Sequence, residues 1–255
     1  MCTTSSNGNG AAPAFRAMTW SLPPKAQIFR EGEQPSELYI VRRGWAFRYK
    51  LLFDGSRQIL DFVLPGEVVG IPLNECLPYM DHSVDTATEA TFCTFPLQGV
   101  LELSRSSSSF SSMLMWMTSS EKARAFERIT DIGRRNAHER VAHFMLDIFY
   151  RLRARNAVRT HTCEFSITQS LIADTLGLST VHVNRVVRQL REAGVASVAG
   201  HVLTIHDLEQ LENICDYDDA YLDHEVGQSL EREYHESRGG PGVGAMAFED
   251  SGREG

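Results

Sequence analysis

Ser179, Thr180, Val181, His182, Arg185 and Arg188 fall within one stretch, TQSLIADTLGLSTVHVNRVVRQLR, running from Thr168 to Arg191. A guanidinium holds its donors in a fixed fork, so Arg185 suits a planar pair of acceptors such as O6 and N7 of guanine. Val181 is apolar, and its methyl groups suit a thymine methyl. Ser179 and His182 suit phosphate oxygens, contacts that position without specifying. Arg188 can do either. Thr180 lies beside them at the start of the same run. Such a set recognises an edge and a backbone; it does not make or break bonds. No Ser/His/Asp arrangement, HExxH motif or phosphate-cradling glycine loop appears elsewhere, so an enzyme is not expected.

The elements that must present these residues are legible around them. Thr168 and Ser179 can each cap a helix, because a side-chain hydroxyl accepts an orphan amide at a helix start. Gly177 falls between the two helices, where the chain needs positive φ. Ile172, Ala173, Leu176, Leu178, Val183 and Val186 are apolar at the positions that pack the pair, with small Ala173 at the closest approach. This is the pattern of a helix-turn-helix, whose second helix enters the major groove. An ordinary antiparallel helix pair in some other core is the plainer alternative. Asn184 reads as a solvent-facing residue.

The chain has 255 residues, 42% of them apolar, room for one large domain or two smaller ones. No apolar run reaches the roughly 18 residues of a membrane span. The start, MCTTSSNGNGAAPAF, has neither a basic end nor an apolar core, and reads as a disordered tail rather than a signal peptide. The five cysteines (Cys2, Cys76, Cys93, Cys163, Cys215) are scattered with no CxxC, which fits reduced thiols in a cytoplasm. The net charge of −8 is uneven. Asp207 to Gly255 carries 14 acidic and 3 basic residues, a net of −11, which leaves 22 basic and 19 acidic, a net of +3, for residues 1–206. The acidic balance therefore belongs to a C-terminal extension and does not argue against nucleic acid.

Leu38 to Val41, Ala46 to Leu52 and Gln58 to Leu64 read as strands, separated by turns at Arg43-Gly44, Asp54-Gly55 and Pro65-Gly66. They suggest a small antiparallel sandwich or roll. Leu97 to Arg105 reads as a short helix, and the serine-rich patch Ser104 to Ser112 weakens helix locally. Phe110 to Arg135 reads as a long helix of roughly 37 Å. Phe126, Ile129 and Gly133 share one face; Phe110, Met113, Leu114 and Met117 share another. Asn136 marks a break. Ala137, Val141, Phe144, Ile148 and Leu152 then recur as one face of an amphipathic helix. Arg151, Arg153, Arg155 and Arg159 form a basic cluster, either a solvated helix end or phosphate contacts. Gly194 ends the second helix of the pair, Val195 to Val198 and Val202 to Ile205 flank Ala199-Gly200 as a wing, and Asp207 caps a last helix through Ile214.

The segment IFREGEQPSELYIVRRGWAFRYKLLFDGSRQILDFVLPGEVVG resembles the β-roll of the cyclic-nucleotide-binding superfamily, with glycines 32, 44, 55, 66 and 70 at that family's turns. GRRNAHERVAHFMLDIF resembles its hinge and first DNA-domain helix. With the helix-turn-helix downstream, Lys25 to Ile214 resembles the Crp–Fnr family of bacterial transcription regulators. The resemblance implies an α+β chain in five parts. They are a tail over residues 1–18, an N-terminal antiparallel, jelly-roll-like β-roll sensor over 19–109 and a dimerisation helix over 110–135. A winged helix-turn-helix over 136–215 and an acidic extension over 216–255 complete the chain. It further implies a cytoplasmic homodimer on double-stranded DNA with an inverted-repeat site, and RNA polymerase as a partner.

Cyclic-AMP binders of the family use a Glu after the Gly-Asp/Glu-x-x-Gly turn and an Arg-Ser pair for the phosphate. Here Gly70 is followed by Ile71-Pro72-Leu73, and His82-Ser83 stands near the Arg-Ser place. A neutral imidazole does not replace a bidentate guanidinium, so cyclic AMP is not the expected effector. His82 and Ser83 remain the candidate effector pocket for another anion. An iron–sulfur sensor needs clustered thiolates, and only Cys2 lies near the N-terminus. Haem needs an axial ligand, for which Cys76 and His82 are lone candidates. No metal or cofactor is expected, and the effector is left open. The alternatives are a gas or small-molecule sensor with a working roll, and a ligand-binding module whose helix pair contacts protein.

Overall fold

The structure, a computed structural model, describes residues 18–70 and 79–222 together with Ser229. The expected N-terminal tail up to residue 17, the segment after Gly70 that includes Cys76, and most of the acidic extension lie outside the described residues.

The first half is a roll of two four-stranded antiparallel sheets. One runs in the order β1 (Met18–Leu22), β8 (Ala90–Pro96), β3 (Glu37–Arg43), β6 (Val68–Val69). The other runs β2 (Gln27–Phe29), β7 (Ser83–Thr86), β4 (Ala46–Leu51), β5 (Arg57–Val63). Tyr39, Val41, Ala46, Val63, Val84 and Phe92 fill the space between them. Gly44 turns β3 into β4 at φ +73°, and a Cβ there would lie 2.0 Å from the Glu89 carbonyl oxygen, so only glycine fits.

Strands β4 and β5 are apolar on both faces because the second sheet is covered on both sides. Its outer face carries Phe47, Ile59 and Phe62, which join Phe144 and Phe165 of the C-terminal half in one core. The Phe62 and Phe144 rings lie 5.7 Å apart, and Phe165 meets Trp45 at 6.4 Å. These rings are essentially unexposed, and truncating any one to alanine should cost about 3–5 kcal/mol.

Helix α1 (Leu97–Ser106) and helix α2 (Ser108–Gly133) follow. The serine patch interrupts helix at a single residue. Ser107 alone leaves the helical path, and its hydroxyl accepts from the Phe110 N–H to cap α2. The hydroxyls of Ser104 and Ser106 donate back to the carbonyls of Leu101 and Leu103, so they close turns instead of breaking them.

Helix α2 is also not one uniform seam. Phe110 and Met113 pack with Leu38, Ile40 and Val68 on the chain's own roll, with Leu114 and Met117 beside them. Met115, Phe126 and Ile129 are exposed instead, at 71%, 58% and 66%. The Lys122 amine sits 5.9 Å over the Phe126 ring.

Helix α3 (Ala137–Ala154) starts at a capping box. The Asn136 side chain accepts from the N–H groups of His138 and Glu139, while Glu139 accepts from the Asn136 N–H at 2.8 Å. Its apolar face is buried as the spacing predicts: Val141, Phe144, Ile148 and Leu152 are all within the core. A sheet of β11 (Ala196–Ala199), β12 (Val202–Ile205), β10 (Thr162–Glu164) and β9 (Val158–Arg159) forms the wing. Helix α6 (Leu208–Cys215) closes the unit, capped by Asp207, whose carboxylate accepts from the Gln210 N–H at 2.9 Å.

Candidate nucleic-acid interface

Helix α4 (Gln169–Leu176) and helix α5 (Thr180–Glu192) form the expected pair. The Thr168 hydroxyl accepts from the Leu171 N–H, and the Ser179 hydroxyl from the His182 N–H at 3.2 Å. Gly177 sits at φ +63° and ends α4 in the left-handed region. Ile172, Ala173, Leu176, Val183 and Val186 are buried at 5% exposure or less, and they fix α5 against α4. Gly194, at φ +70°, follows the end of α5.

The opposite face of α5 is open. Ser179, Thr180, Val181, His182, Arg185 and Arg188 are all exposed, Val181 at 77%. Val181, Arg185 and Arg188 recur at i, i+4 and i+7 and so line one stripe. Arg188 leans toward Glu192 at 3.7 Å, an exposed pair that leaves the guanidinium free to turn. The start of α5, at Ser179–His182, carries the positive end of the helix dipole.

Of the four arginines at the end of α3 and beyond it, burial corrects the reading of Arg151. Arg151 is 2% exposed and contacts no solvent face. It donates to Asp61 at 3.0 Å, to Glu67 at 2.6 Å and to Asp147 at 3.1 Å. Arg124 of α2 and Arg48 of β4 join Asp61 at 3.0 and 3.6 Å. Burial alone would raise the Asp61 carboxyl, but Arg151 and Arg124 outweigh it and hold it below the ordinary carboxylate range. Glu67 is likewise lowered, against the same cost of burial, by Arg151, Arg124 and Arg155. This cluster fixes the reading head on the roll. Its hint in the sequence is Asp147-Arg151, a charged i, i+4 pair on a helix that is otherwise apolar around it. Arg153 lies over the Tyr150 ring at 5.7 Å, and Arg155 approaches Glu67 at 3.8 Å; Arg153 and Arg159 are exposed and Arg155 is half-buried.

His82 and Ser83 are already engaged within the roll. The Ser83 hydroxyl accepts from the Glu31 N–H at 3.0 Å, and His82 Nδ1 lies 2.6 Å from Asp81. Burial, with Arg48 nearby, lowers the pKa of His82 although Asp81 opposes it. The guanidinium near His82, that of Arg48, donates to the Val68 carbonyl at 2.7 Å and pairs with Glu121 and Asp61, while its Nη1 is buried without a hydrogen-bond partner.

Two family profiles match the chain: a cyclic nucleotide-binding domain over residues 19–107 and a Crp-like helix-turn-helix domain over residues 139–214. The nitrogen fixation regulation protein FixK of Rhizobium meliloti (strain 1021) is 30% identical over 195 residues, 75% of this chain and 84% of that protein. The chain belongs to the Crp–Fnr family. It is a transcription regulator with a helix-turn-helix DNA-binding domain. Another member, the anaerobic regulatory protein of Haemophilus influenzae, is 30% identical over 190 residues, 73% of this chain and 72% of that one. The solved structure of FixK2 from Bradyrhizobium japonicum superposes with a TM-score of 0.71 at 26% identity, covering 78% of this chain and 96% of that one. The relatives are regulators rather than enzymes, and among the described residues no helix is long and apolar enough to cross a membrane.

Proposed function

We propose that this regulator binds an inverted-repeat operator as a cytoplasmic homodimer, reads it with α5, and does so without cyclic AMP. One observation carries the reading. Val181, Arg185 and Arg188 stand free on one stripe of a helix whose opposite side, Val183, Val186 and Leu190, is locked in the core. Arg185 is the base-reading residue, Ser179 and His182 anchor phosphates, and Thr180 and Arg188 complete the face. Exposed Met115, Phe126 and Ile129 support a two-fold partner along α2, and RNA polymerase is the downstream partner. The missing carboxylate after Gly70 and the engaged Arg48 both speak against a cyclic nucleotide.

A second reading, a small-molecule sensor, rests on His82, whose Nε2 is buried without a hydrogen-bond partner. In vitro selection of bound duplexes, run with and without cell-extract metabolites, tests both. Enrichment of an inverted repeat without metabolites supports the first; enrichment only with them supports the second; no enrichment defeats DNA reading.

A further inference from the structure

The helix-turn-helix profile ends at residue 214, and the described chain continues to Leu222 in a definite place. Asp216 turns the backbone at φ 50°, and the Tyr217 N–H donates to the Glu212 carbonyl at 3.1 Å. A 3-10 turn, Asp219–Leu222, then packs against both α2 and α3.

The contacts are specific. Tyr217 stacks on Tyr150 with centroids 5.2 Å apart and planes 9° from parallel, meets His143 also at 5.2 Å, and its hydroxyl lies 3.2 Å from that of Tyr221. The Tyr221 ring lies 6.1 Å from His143, and its hydroxyl donates to Asp147 at 2.8 Å. Leu222 is 3% exposed. His143, Asp147 and Tyr150 recur at i, i+4 and i+7, so one whole polar stripe of α3 is taken up by this segment.

That stripe faces the elbow between α2 and α3. His143 Nδ1 meets Asp131 of α2 at 3.1 Å, and Asp131 also holds Arg128 and Arg135 at 2.8 Å each. From Asp147 the polar chain continues through Arg151 to Asp61 and Glu67 of the roll. Tyr221 therefore sits at the outer end of an unbroken buried series linking the C-terminal segment, α3, α2 and the roll.

We propose that Tyr217–Leu222 is an elbow strap, which holds the reading head at one angle to α2 and so sets operator affinity. A head free to swing must be ordered each time it meets DNA, and that ordering weakens binding. The inference rests on the DNA-reading proposal for its affinity arm only.

The test uses the full-length chain. Tyr217→Ser with Leu222→Ser unseats the strap; Tyr221→Phe keeps the ring and removes the donor to Asp147 together with the 3.2 Å hydroxyl contact to Tyr217. Amide hydrogen exchange is measured over residues 132–141 and over β3 and β8, and affinity is measured for a duplex selected with the wild-type chain. The double variant should exchange at the elbow about tenfold faster while β3 and β8 keep their protection. Its affinity should fall about tenfold, and that of Tyr221→Phe a few-fold. Unchanged elbow exchange overturns the strap, and so does faster exchange with equal or tighter binding. If β3 and β8 also lose protection in the double variant, Tyr221→Phe decides by the same two readings. If the wild type enriches no duplex, DNA reading fails while the exchange arm still judges the strap as an elbow clamp.

Discussion

Arg57 of β5 and Asp174 of α4, 117 residues apart, are joined by two hydrogen bonds from one guanidinium to a single carboxylate oxygen, at 3.2 and 2.7 Å. The roll thereby holds the first helix of the reading pair directly. Both side chains are about a third exposed, so solvent screens the pair, and its coupling should be only about 0.2–1 kcal/mol. A double-mutant cycle with Arg57→Ala and Asp174→Ala, followed by urea unfolding, measures this. A coupling above about 2 kcal/mol would show that the contact is desolvated in solution.

Arg185→Ala should cost about 1–3 kcal/mol per half-site and relax preference at one base pair. The check is binding of wild type and variant to single-base operator variants. Parallel profiles with a uniform offset would make Arg185 a backbone contact.

Ser179→Ala removes the cap of α5, so it should destabilise the protein by about 1 kcal/mol and weaken binding to all sequences alike. Thermal unfolding and the same operator panel read the two effects separately. A change in base preference would contradict the anchoring role.

Ile129→Glu places a charge on an exposed apolar stripe, so the monomer should keep its stability while the dimer is lost. Light scattering at micromolar concentration should give the mass of two chains for wild type and one for the variant. A wild-type monomer that still binds one half-site would remove the dimer from the proposal.

The Asp61–Glu67 cluster makes stability fall in acid. Both native carboxyls are held below their ordinary values, so their contribution is present above the unfolded pKa, about 4. It is lost as pH falls from there toward the native values, because the unfolded chain takes up protons that the folded one refuses. Asp61→Asn should lower stability at pH 7 and flatten the fall between about pH 5 and 3. Urea midpoints at both ends for wild type and variant test it, and parallel slopes would refute it.

Cys163 and Cys215 should resist alkylation at neutral pH. Burial pushes both thiols up to about 12, so little thiolate is present. Mass spectrometry after iodoacetamide, native against urea-unfolded, should show both labelled only in the second.

What could be read from the sequence was local. Thr168, Gly177 and Ser179 act on amides within a few residues, so cap, turn and apolar spacing together specify the reading pair. The long-range partners left no such trace. Arg151 looked like part of a solvated basic run because its partners Glu67 and Asp61 lie 84 and 90 residues away. The serine patch marked a real weak point, since the helix breaks at Ser107, although Ser104 and Ser106 turn their hydroxyls back on the helix. Phe110 and Ile129 belong to one helix, yet only the fold decides that the first faces the roll and the second faces outward. His82-Ser83 was located by resemblance; Asp81, the residue next to His82, was there to be read, but the Glu31 amide that meets Ser83 is set by how the roll closes.

The 26 residues of α2 carry a consequence for the lengths this chain can tolerate. Each residue of a helix advances about 1.5 Å and rotates about 100°. One residue inserted between Met113 and Arg124 would swing Arg124, Arg128 and Asp131 a quarter-turn or more away from Asp61 and His143, while Phe110 stayed seated on the roll. Two insertions would make the misalignment worse, and only about seven residues, two full turns, would return the phase, at the expense of about 10 Å of separation. The helix thus acts as a vernier between the two halves. Insertions and deletions in this lineage should collect at the hairpin tip around Asp54-Gly55 and in the wing around Gly200, and spare the span from Ser107 to Asn136.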